Sequence, residues 1–200
     1  RLGWSGGENE VFTLNELIRD FDISEVQKAG AIFDITKLDW INSQHLNNLS
    51  KESFKTHIMP FIDNLGIDYS QYQQLDELIE AMRSVKPNLQ LIAQALIPYL
   101  DTFEEYDEKG VSKFLIGSEE TLILVIESLQ TIKSWSEVEI DSMLVKIQEK
   151  LGLKTPQMNQ PIRIALTGST QSPSLGLTIK LMGRNKSIEL LNKALKFITK

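Results

Sequence analysis

The feature that most constrains this chain is the recurrence of apolar side chains every three or four residues. Between Thr13 and Phe21, for example, Leu14, Leu17 and Ile18 fall on one helical face. The same period continues through the segments 34–49, 50–66, 71–84, 87–100, 118–129, 136–151 and the last quarter of the chain. Because this is the period of an amphipathic helix, the pattern predicts an all-α fold of about nine to eleven helices joined by short turns.

Residues that begin and end helices lie at the edges of these segments. Thr13 with Glu16 and Ser136 with Glu139 have the spacing of capping boxes. We expect helices to begin at Asp34, Ser50 and Ser118, and to end at Gly66, Gly152, Gly168 and Gly183. The proline in segment 50–66, Pro60, is expected to bend or end its helix.

Strand-like runs are few. Residues 11–14, 29–35 and 163–166 have short apolar or β-branched stretches, and no turn dipeptide of the Asn-Gly type joins two alternating segments. We therefore expect irregular or strand-like segments near the N-terminus within a helical bundle, and no β-sheet domain.

Several functional classes are excluded or disfavoured by composition. The 200 residues contain no cysteine, which excludes disulfides, thiolate nucleophiles and cysteine-ligated zinc. No apolar run has the roughly 20 residues that span a bilayer, and we expect no signal peptide. The two histidines, His45 and His57, have no acidic partner at metal-ligand spacing. We expect no catalytic or metal site within these residues.

Charge is distributed unevenly along the chain. Residues 1–153 carry 13 basic and 26 acidic side chains, whereas residues 154–200 carry 8 basic side chains and one acid, Glu189. A basic end on an acidic body is typical of a polyanion-binding protein. The alternative is a solvated, lysine-rich surface that balances the acidic body.

A polar loop within this basic end has the chemistry for RNA. Segment 163–177 places hydroxyl and amide side chains between apolar helical stretches. The step from Ser172 to Ser174 is expected to open the next helix with free backbone N–H groups, which attract phosphate. Short polar groups beside such a site can bind the edges of unpaired bases. The alternative is an ordinary interhelical loop whose serines and threonines act only as caps.

Three ordered motifs resemble a known family. The first is Leu2 to Ser5, followed by Gly7-Glu8 and Glu10 to Phe12. The second runs from Ala29 to Asn42 and contains the pattern Phe-Asp-x-x-Lys-Leu-x-Trp-x-Asn. The third comprises Arg163 to Gly168, Ser172-Pro173 and Leu181 to Arg184. Together they resemble the C-terminal region of bacterial-type glutamyl-tRNA synthetases over essentially the whole chain.

This resemblance implies an architecture and a role. It implies that residues 1–49 are the end of a stem-contact domain, and that residues 50–116 and 117–200 are two helical anticodon-binding subdomains. The expected partner is tRNA-Glu, bound by a cytoplasmic, monomeric protein without membrane contact. The family's two catalytic signatures, of the His-Ile-Gly-His and Lys-Met-Ser-Lys types, are absent from these 200 residues. The resemblance therefore assigns ATP, Mg²⁺ and the ligase chemistry to a preceding part of a longer parent enzyme, and this fragment is expected to need no cofactor and to be inactive alone.

The resemblance also implies specific contacts. Lys37 and Asn42 match the stem-contact motif, beside Trp40, which is expected to be mainly a core residue. The expected anticodon-binding residues are Arg83, Lys86, Arg163, Thr167, Gly168, Ser172, Pro173, Leu175 and Arg184. Near Arg83 the match is weaker, and Val85 with Lys86 is the alternative counterpart of a base-reading position.

A second function remains open from the sequence. The same helical fold could serve as a protein-interaction module without RNA-reading activity. The acidic stretch 101–108 and the apolar helix 119–133 are the surfaces that such a module would use.

Overall fold

The computed structural model describes residues 3–28, 30 and 32–199, and within them the chain is all-helical with no β-strand. The helices are α1 (Leu14–Asp20), α2 (Ile35–Asn47), α3 (Lys51–Asp63), α4 (Leu75–Met82), α5 (Leu89–Leu100), α6 (Glu108–Gly110), α7 (Glu119–Thr131), α8 (Glu137–Leu151), α9 (Thr155–Thr167), α10 (Leu175–Met182) and α11 (Arg184–Ile198). A 3₁₀ turn spans Ile23–Glu25, and a π-helical turn, Val111–Leu115, continues α6. The predicted fold class is confirmed.

The strand-like runs form no strand among the described residues. Residues 163–166 lie inside α9, and residues 11–13 are irregular. In the run 29–35, Ala29 and Ala31 lie outside the described residues, as does Leu2 of the first motif. Ile35 begins α2. Short apolar runs do not distinguish a strand from one turn of a buried helix, and here helical packing decides.

Local capping signals explain most helix ends. The predicted box at Thr13 forms in both directions: Thr13 N–H donates to Glu16 (2.7 Å) and Glu16 N–H donates to Thr13 Oγ1 (3.3 Å). Asp34 and Ser50 cap α2 and α3 as expected. Ser118 precedes α7, but its hydroxyl donates to the Leu115 carbonyl and makes no cap.

The proline in α3 does not end that helix. Pro60 lies within α3, which runs on to Asp63, and Gly66 follows in the left-handed region with φ +68°. Of the two outcomes expected at Pro60, a bend or an end, the end does not occur, because Phe54, Ile58 and Ile62 form one fully buried stripe that continues past it. Burying each of these side chains stabilises the fold by about 1.5–3 kcal/mol. Together they offset the cost of a proline inside a helix, which is about 3 kcal/mol. The expected stop at Gly66 is confirmed, since α3 ends just before it.

Two groups of helices share one apolar core. Helices α3, α4 and α5 pack together, and α7 to α11 form the second group, with α5 packing against α9 between them. The π-helical turn Val111–Leu115 also packs on α9. This packing sets the α4–α5 connection beside the α9–α10 loop. The division into residues 50–116 and 117–200 stays a prediction.

The N-terminal part is joined to this body at α2. Leu46 of α2 belongs to the core, and the Asn42 side-chain amide donates to the Pro87 carbonyl (2.6 Å). Before α2, Trp4 packs against Phe12 and Phe21. Helix α1 buries no residue.

No helix in the part of the chain that the structure describes is long and apolar enough to cross a membrane.

Candidate nucleic-acid interface

The α4–α5 connection and the α9–α10 loop enclose one open concavity of about 610 Å³. Its walls combine hydroxyl and amide groups with one guanidinium and an apolar floor: Ala81, Ser84, Val85, Arg163, Thr170, Gln171, Ser172, Pro173, Ser174 and Leu177. The two segments are about 80 residues apart in sequence and meet here because α4 and α5 pack in one group with α9 nearby. Of the expected anticodon residues, Arg163, Ser172 and Pro173 line this concavity.

Arg163 is the cation of the concavity. Its Nη2 donates to the Pro173 carbonyl at 3.4 Å, while its buried Nε has no hydrogen-bond partner. Burial lowers the pKa of Arg163, although the nearby Tyr99 favours the charged form. Because arginine starts from such a high pKa, it stays charged at neutral pH. Arg163 therefore places a positive charge at the concavity.

Lys86 lies at the border between this concavity and a smaller one. Its Nζ donates to Gln171 Oε1 (2.7 Å) and so links the α4–α5 connection to the α9–α10 loop. The smaller cavity, of about 230 Å³, has Lys86, Thr167 and Gln171 at its rim and a mostly apolar floor.

Thr167 and Gly168 shape the α9–α10 loop. The Thr167 hydroxyl donates to the Arg163 carbonyl (2.8 Å) at the end of α9. Gly168 has φ +69°, and a Cβ there would lie 2.7 Å from the Glu105 carbonyl oxygen. Its own carbonyl accepts the Asp107 N–H (2.7 Å). Only glycine fits this close crossing of two chain segments.

The start of α10 is not the open anion site expected from the sequence. Ser174 caps the helix by accepting the Leu177 N–H (3.3 Å), and its hydroxyl donates to Glu137 of α8 (2.8 Å). The Gly176 N–H donates to Asp141, also of α8, whose pKa is raised by burial and by the charge of Glu137. Two carboxylates thus occupy this helix end and would repel a phosphate, so the prediction of free N–H groups is wrong.

Leu175 is a core residue, only 4% exposed. It follows the N-cap of α10 and packs inward with Ile179 and Met182. The Leu175 side chain is too buried to contact a ligand. It supports the concavity indirectly, because it holds α10 in the core.

Arg83 is buried, which argues against the expected direct contact with an anticodon base. Its guanidinium donates to the Leu49 carbonyl (2.9 Å) and lies over the Phe54 ring (4.4 Å from the centroid). It also pairs with Glu80 at 3.0 Å. These contacts join the α2–α3 connection to α4, which favours a positioning role. In the following segment Ser84 is exposed, and Val85 and Lys86, the alternative counterpart that the sequence left open, are half-buried. Which of them contacts a base stays a prediction.

Arg184 lies away from the concavity, at the end of α7. Its guanidinium donates to the Gln130 (3.2 Å) and Ile132 (2.6 Å) carbonyls and lies 5.1 Å from the Trp135 ring centroid. Cations commonly satisfy the last carbonyls of a helix in this way. The contacts account for Arg184 without a ligand.

Three other basic residues of segment 154–200, Lys180, Lys186 and Lys193, contact separate parts of the protein. Lys186 donates to the Tyr99 and Asp101 carbonyls (2.9 and 2.8 Å), and burial lowers its pKa. Lys193 binds the Phe103 carbonyl, and Lys180 pairs with Glu77 (2.6 Å). Among the tail cations that the structure describes, only Arg163 lines the concavity. Of these cations Lys180 pairs with a carboxylate, whereas Lys186 and Lys193 donate to backbone carbonyls, so they attach α10 and α11 to the rest of the helices.

The two expected stem-contact residues lie on α2. Lys37 pairs with Glu10 and lies over the Trp40 ring (4.1 Å from the centroid). Asn42 uses its amide to hold the α4–α5 connection. Lys37 is partly exposed, and an RNA phosphate would have to replace Glu10 as its partner. The Asn42 amide already donates to the protein backbone, so it has a structural role without RNA.

The surfaces that a protein-interaction module would use are only partly available. Helix α7 buries Leu122, Val125 and Leu129 in the core. Large apolar side chains are more exposed in residues 14–40, beside a groove lined by residues such as Trp4, Phe12 and Ile41.

Some residues of the concavity were missed by sequence reasoning. Ser84, Thr170 and Gln171 line it, and the buried pair Tyr99 and Thr178 lies beneath Ser172. The polar composition of the 163–177 loop was the available signal for Thr170 and Gln171. No local pattern indicates that Tyr99, 79 residues away from Thr178, reaches it.

The fold and the concavity define an all-helical domain that presents a hydroxyl-lined loop beside a single arginine. The chain belongs to the anticodon binding domain family, whose model matches residues 44–195. This match covers every residue of the concavity.

Solved structures show the same fold. The chain is similar to a glutamate tRNA ligase from Elizabethkingia meningosepticum CCUG26117, in complex with its amino acid, with 23% identity and a TM-score of 0.74 over 98% of this chain. It is also similar to a glutamate-tRNA synthetase from Elizabethkingia anophelis, with 23% identity and a TM-score of 0.72. The chain spans only 39% and 38% of those two proteins.

Proposed function

We propose that this chain is the tRNA-binding C-terminal region of a glutamate–tRNA ligase, and that the concavity binds anticodon nucleotides of tRNA-Glu. The observation that carries the proposal is the meeting of Arg163 and the 170–174 loop with Ser84 and Val85 in one open concavity. It occurs within the part of the chain that matches the anticodon binding domain family.

The chemistry of the concavity suits unpaired bases more than a phosphate backbone. Base edges carry donors and acceptors that hydroxyl and amide groups can match, and base faces pack on apolar floors. Val85 and Leu177 supply apolar surface, and Ser172 and Gln171 supply polar edges. Arg163 and Lys86 are the two cations placed to neutralise neighbouring phosphates.

The role of such a region in a ligase is positional. Contacts at the anticodon contribute binding energy far from the reacting atoms, and correct contacts favour the arrangement in which the acceptor end reaches the catalytic site. Lys37 on α2 is the candidate for a further backbone contact along the stem, once it exchanges Glu10 for a phosphate. Asn42 holds α2 in register with the anticodon-binding helices.

The ligase chemistry itself belongs to the rest of such a parent enzyme. ATP and Mg²⁺ would supply carboxylate activation there, where the two catalytic signatures absent from this chain would lie. The residues described here include no group of three or more acidic or histidine side chains that could hold a metal ion. We therefore assign no step of the reaction to these residues, and expect the chain alone not to attach glutamate. We further infer a cytoplasmic monomer that uses tRNA-Glu.

Equilibrium binding to short RNAs tests this proposal. The 200-residue chain would be titrated with the anticodon stem-loop of tRNA-Glu and with loops in which each anticodon nucleotide is changed in turn. We expect at least one change to weaken binding about tenfold or more, the size of one well-placed base contact. Equal affinity for all anticodons would contradict the proposal and favour the protein-interaction module.

A further inference from the structure

Two carboxylates of α8 lie beside the end of α10 that borders the concavity. Glu137 accepts a hydrogen bond from the Ser174 hydroxyl at 2.8 Å, and Ser174 lines the concavity. Asp141 accepts the Gly176 N–H in the first turn of α10. Because Glu137 and Asp141 are four residues apart, they lie on one face of α8. Both negative charges are therefore placed at the same end of α10.

The two carboxylates have no cation as a partner among the residues that the structure describes. The groups that donate to them are a hydroxyl and a backbone N–H, which carry no net charge. The positive charge of the concavity comes from other elements: Arg163 of α9 lines it, and Lys86 of the α4–α5 connection lies at its border. A phosphate at the concavity would thus meet a cation near Lys86 and carboxylates at α10.

The stability of the fold does not account for both charges. Glu137 is in the first turn of α8, where the helix macrodipole favours a carboxylate. Asp141 is one turn further on, and like charges four residues apart destabilise a helix. Burial and the charge of Glu137 raise the pKa of Asp141, and the hydrogen bond from Gly176 opposes this shift without cancelling it. Folding therefore disfavours the ionised form of Asp141.

The start of α10 is shaped to admit Asp141. Gly176 is buried, and a Cβ at this position would overlap the Asp141 carboxylate. Glycine inside a helix costs stability relative to alanine. The close approach of Asp141 to the helix end therefore depends on a residue that is itself unfavourable in a helix.

Without these charges the same helix end would attract phosphate. The first N–H groups of a helix and its macrodipole favour an anion, and Arg163 would add its charge from α9. Such a site would hold the backbone of any RNA, because phosphates carry no sequence information. It would compete with the binding mode in which bases enter the concavity.

We propose that Glu137 and Asp141 determine specificity by excluding the RNA backbone from the α10 side of the concavity. The proposal rests on the proposed function. Phosphates then pass on the side of Lys86, and an RNA avoids the carboxylates only when its bases, and not its phosphates, face α10. Specificity here comes from repulsion of a wrong binding mode, in addition to any attractive contact.

The double variant Glu137→Gln/Asp141→Asn tests the proposal, because it removes both charges and keeps oxygen acceptors for Ser174 and Gly176. It would be titrated with the anticodon stem-loop of tRNA-Glu and with a stem-loop whose anticodon is changed. We expect the changed RNA to bind the variant about two- to fivefold more tightly than the wild type, the gain that a helix macrodipole gives one anion. The affinity for the tRNA-Glu stem-loop should rise less, so the ratio between the two RNAs falls.

Two further measurements connect this gain to phosphate. For the changed RNA, the slope of log K against log salt should become steeper by about 0.7 in the double variant, as expected for one added phosphate contact. Loop phosphates would then be replaced one at a time by neutral methylphosphonates at 2′-O-methyl nucleotides, and one replacement should abolish the gain. A purely structural role for the two carboxylates predicts that their replacement strengthens the binding of neither RNA.

A matched control is Glu149→Gln. Glu149 is exposed in the last turn of α8, and at a rise of 1.5 Å per residue it is about 18 Å from Glu137. This variant changes the net charge by the same amount as Glu137→Gln alone. It should leave both affinities at their wild-type values.

The outcomes distinguish the two proposals. If the wild type discriminates among anticodons but the double variant keeps the same ratio, or weakens both RNAs, the carboxylates do not act as proposed and the proposed function stands. The same conclusion follows if Glu149→Gln gives an equal gain, or if the gain persists with every loop phosphate neutralised in turn. If the wild type binds every anticodon with the same affinity, both proposals are overturned.

Discussion

Lys86 donates a hydrogen bond to Gln171 at 2.7 Å, and this contact joins the α4–α5 connection to the α9–α10 loop. The two residues are 85 positions apart and come from the two groups of helices. The bond lies between the larger and the smaller cavity, so it divides the candidate site into two parts that could each hold one base. An RNA phosphate near this point would compete with Gln171 for the ammonium group.

Replacing this lysine should change how RNA binding depends on salt. A cation that contacts a single-strand phosphate contributes about −0.7 to the slope of log K against log salt. Lys86→Met should therefore weaken anticodon stem-loop binding and make the slope less steep by about 0.7. The measurement is a series of titrations at increasing potassium chloride.

A matched control for Lys86 is Lys150→Met at the far end of α8. Lys150 is exposed in the last turn of α8, and Glu137, which contacts Ser174 of the loop, is in the first turn of the same helix. At a rise of 1.5 Å per residue, the two residues are about 20 Å apart. This variant should leave affinity and slope unchanged. An equal loss of slope in both variants would mean that RNA binding is not localised at the concavity.

Gly168 should be far less tolerant of substitution than Gly66. Both residues have nearly the same backbone angle, φ +69° and +68°, but a Cβ at Gly168 would meet the Glu105 carbonyl at 2.7 Å and a Cβ at Gly66 would meet nothing within 4 Å. Gly66→Ala should cost about 1–2 kcal/mol from backbone strain alone. Gly168→Ala should cost at least about 1 kcal/mol more, since the segments must move apart. Urea unfolding of both variants provides the comparison, and equal losses would show that the close approach has no energetic weight.

Arg83 should contribute to stability more than to base recognition. Arg83→Met leaves the Leu49 carbonyl without its side-chain donor and removes a second, longer bond to the Ser50 carbonyl, which still accepts the Phe54 N–H. The free energy of unfolding should fall by about 1–3 kcal/mol. Arg19→Met, at a largely exposed residue whose ion pair with Asp20 is screened by solvent, should leave the free energy of unfolding almost unchanged. If Arg83→Met instead kept wild-type stability and abolished discrimination among anticodons, Arg83 would be a base-reading residue after all.

Asp141 should make stability fall as pH rises through the range just above 4. Burial, with the charge of Glu137, raises the pKa of Asp141 in the folded protein, against an opposing hydrogen bond from the Gly176 N–H. Unfolded aspartate titrates near about 3.9, so between that value and the folded pKa the folded state holds the extra proton. Stability from this group is therefore present at lower pH and lost as pH rises through the folded pKa.

Asp141→Asn removes this dependence. The free energy of unfolding of the variant minus that of the wild type should increase from about pH 4 upwards and then level off. The measurement is chemical denaturation at several pH values. A difference that decreases over the same range would show that the ionised carboxylate is the stabilised form in the folded protein.

Features encoded by neighbouring residues could be predicted from the sequence. The capping box at Thr13 and Glu16 and the glycine at the end of α8, Gly152, depend on residues within one turn of each other. The helical period likewise places Phe54, Ile58 and Ile62 on one buried stripe. Such local rules account for the fold class and for most helix boundaries.

Features that depend on tertiary neighbours could not be predicted in this way. The sequence does not distinguish an arginine that donates to backbone carbonyls from one that lines a cavity. Arg184 donates to the carbonyls of Gln130 and Ile132, whereas Arg163 lines the concavity. The carboxylate of Asp141 reaches Gly176 only because α8 packs on α10. The composition of a basic segment therefore did not reveal which of its cations remain available to a ligand.

The central claim is that the anticodon nucleotides of a bound tRNA lie in the concavity, and photocrosslinking tests it most directly. A tRNA-Glu stem-loop with a photoreactive thionucleotide at one anticodon position would be irradiated with the full chain, and the crosslinked peptides identified by mass spectrometry. The account predicts crosslinks within residues 81–86 and 163–174, which disappear when unlabelled stem-loop competes. Crosslinks confined to α2, to the exposed side of α7, or to the C-terminal half of α11 would contradict it.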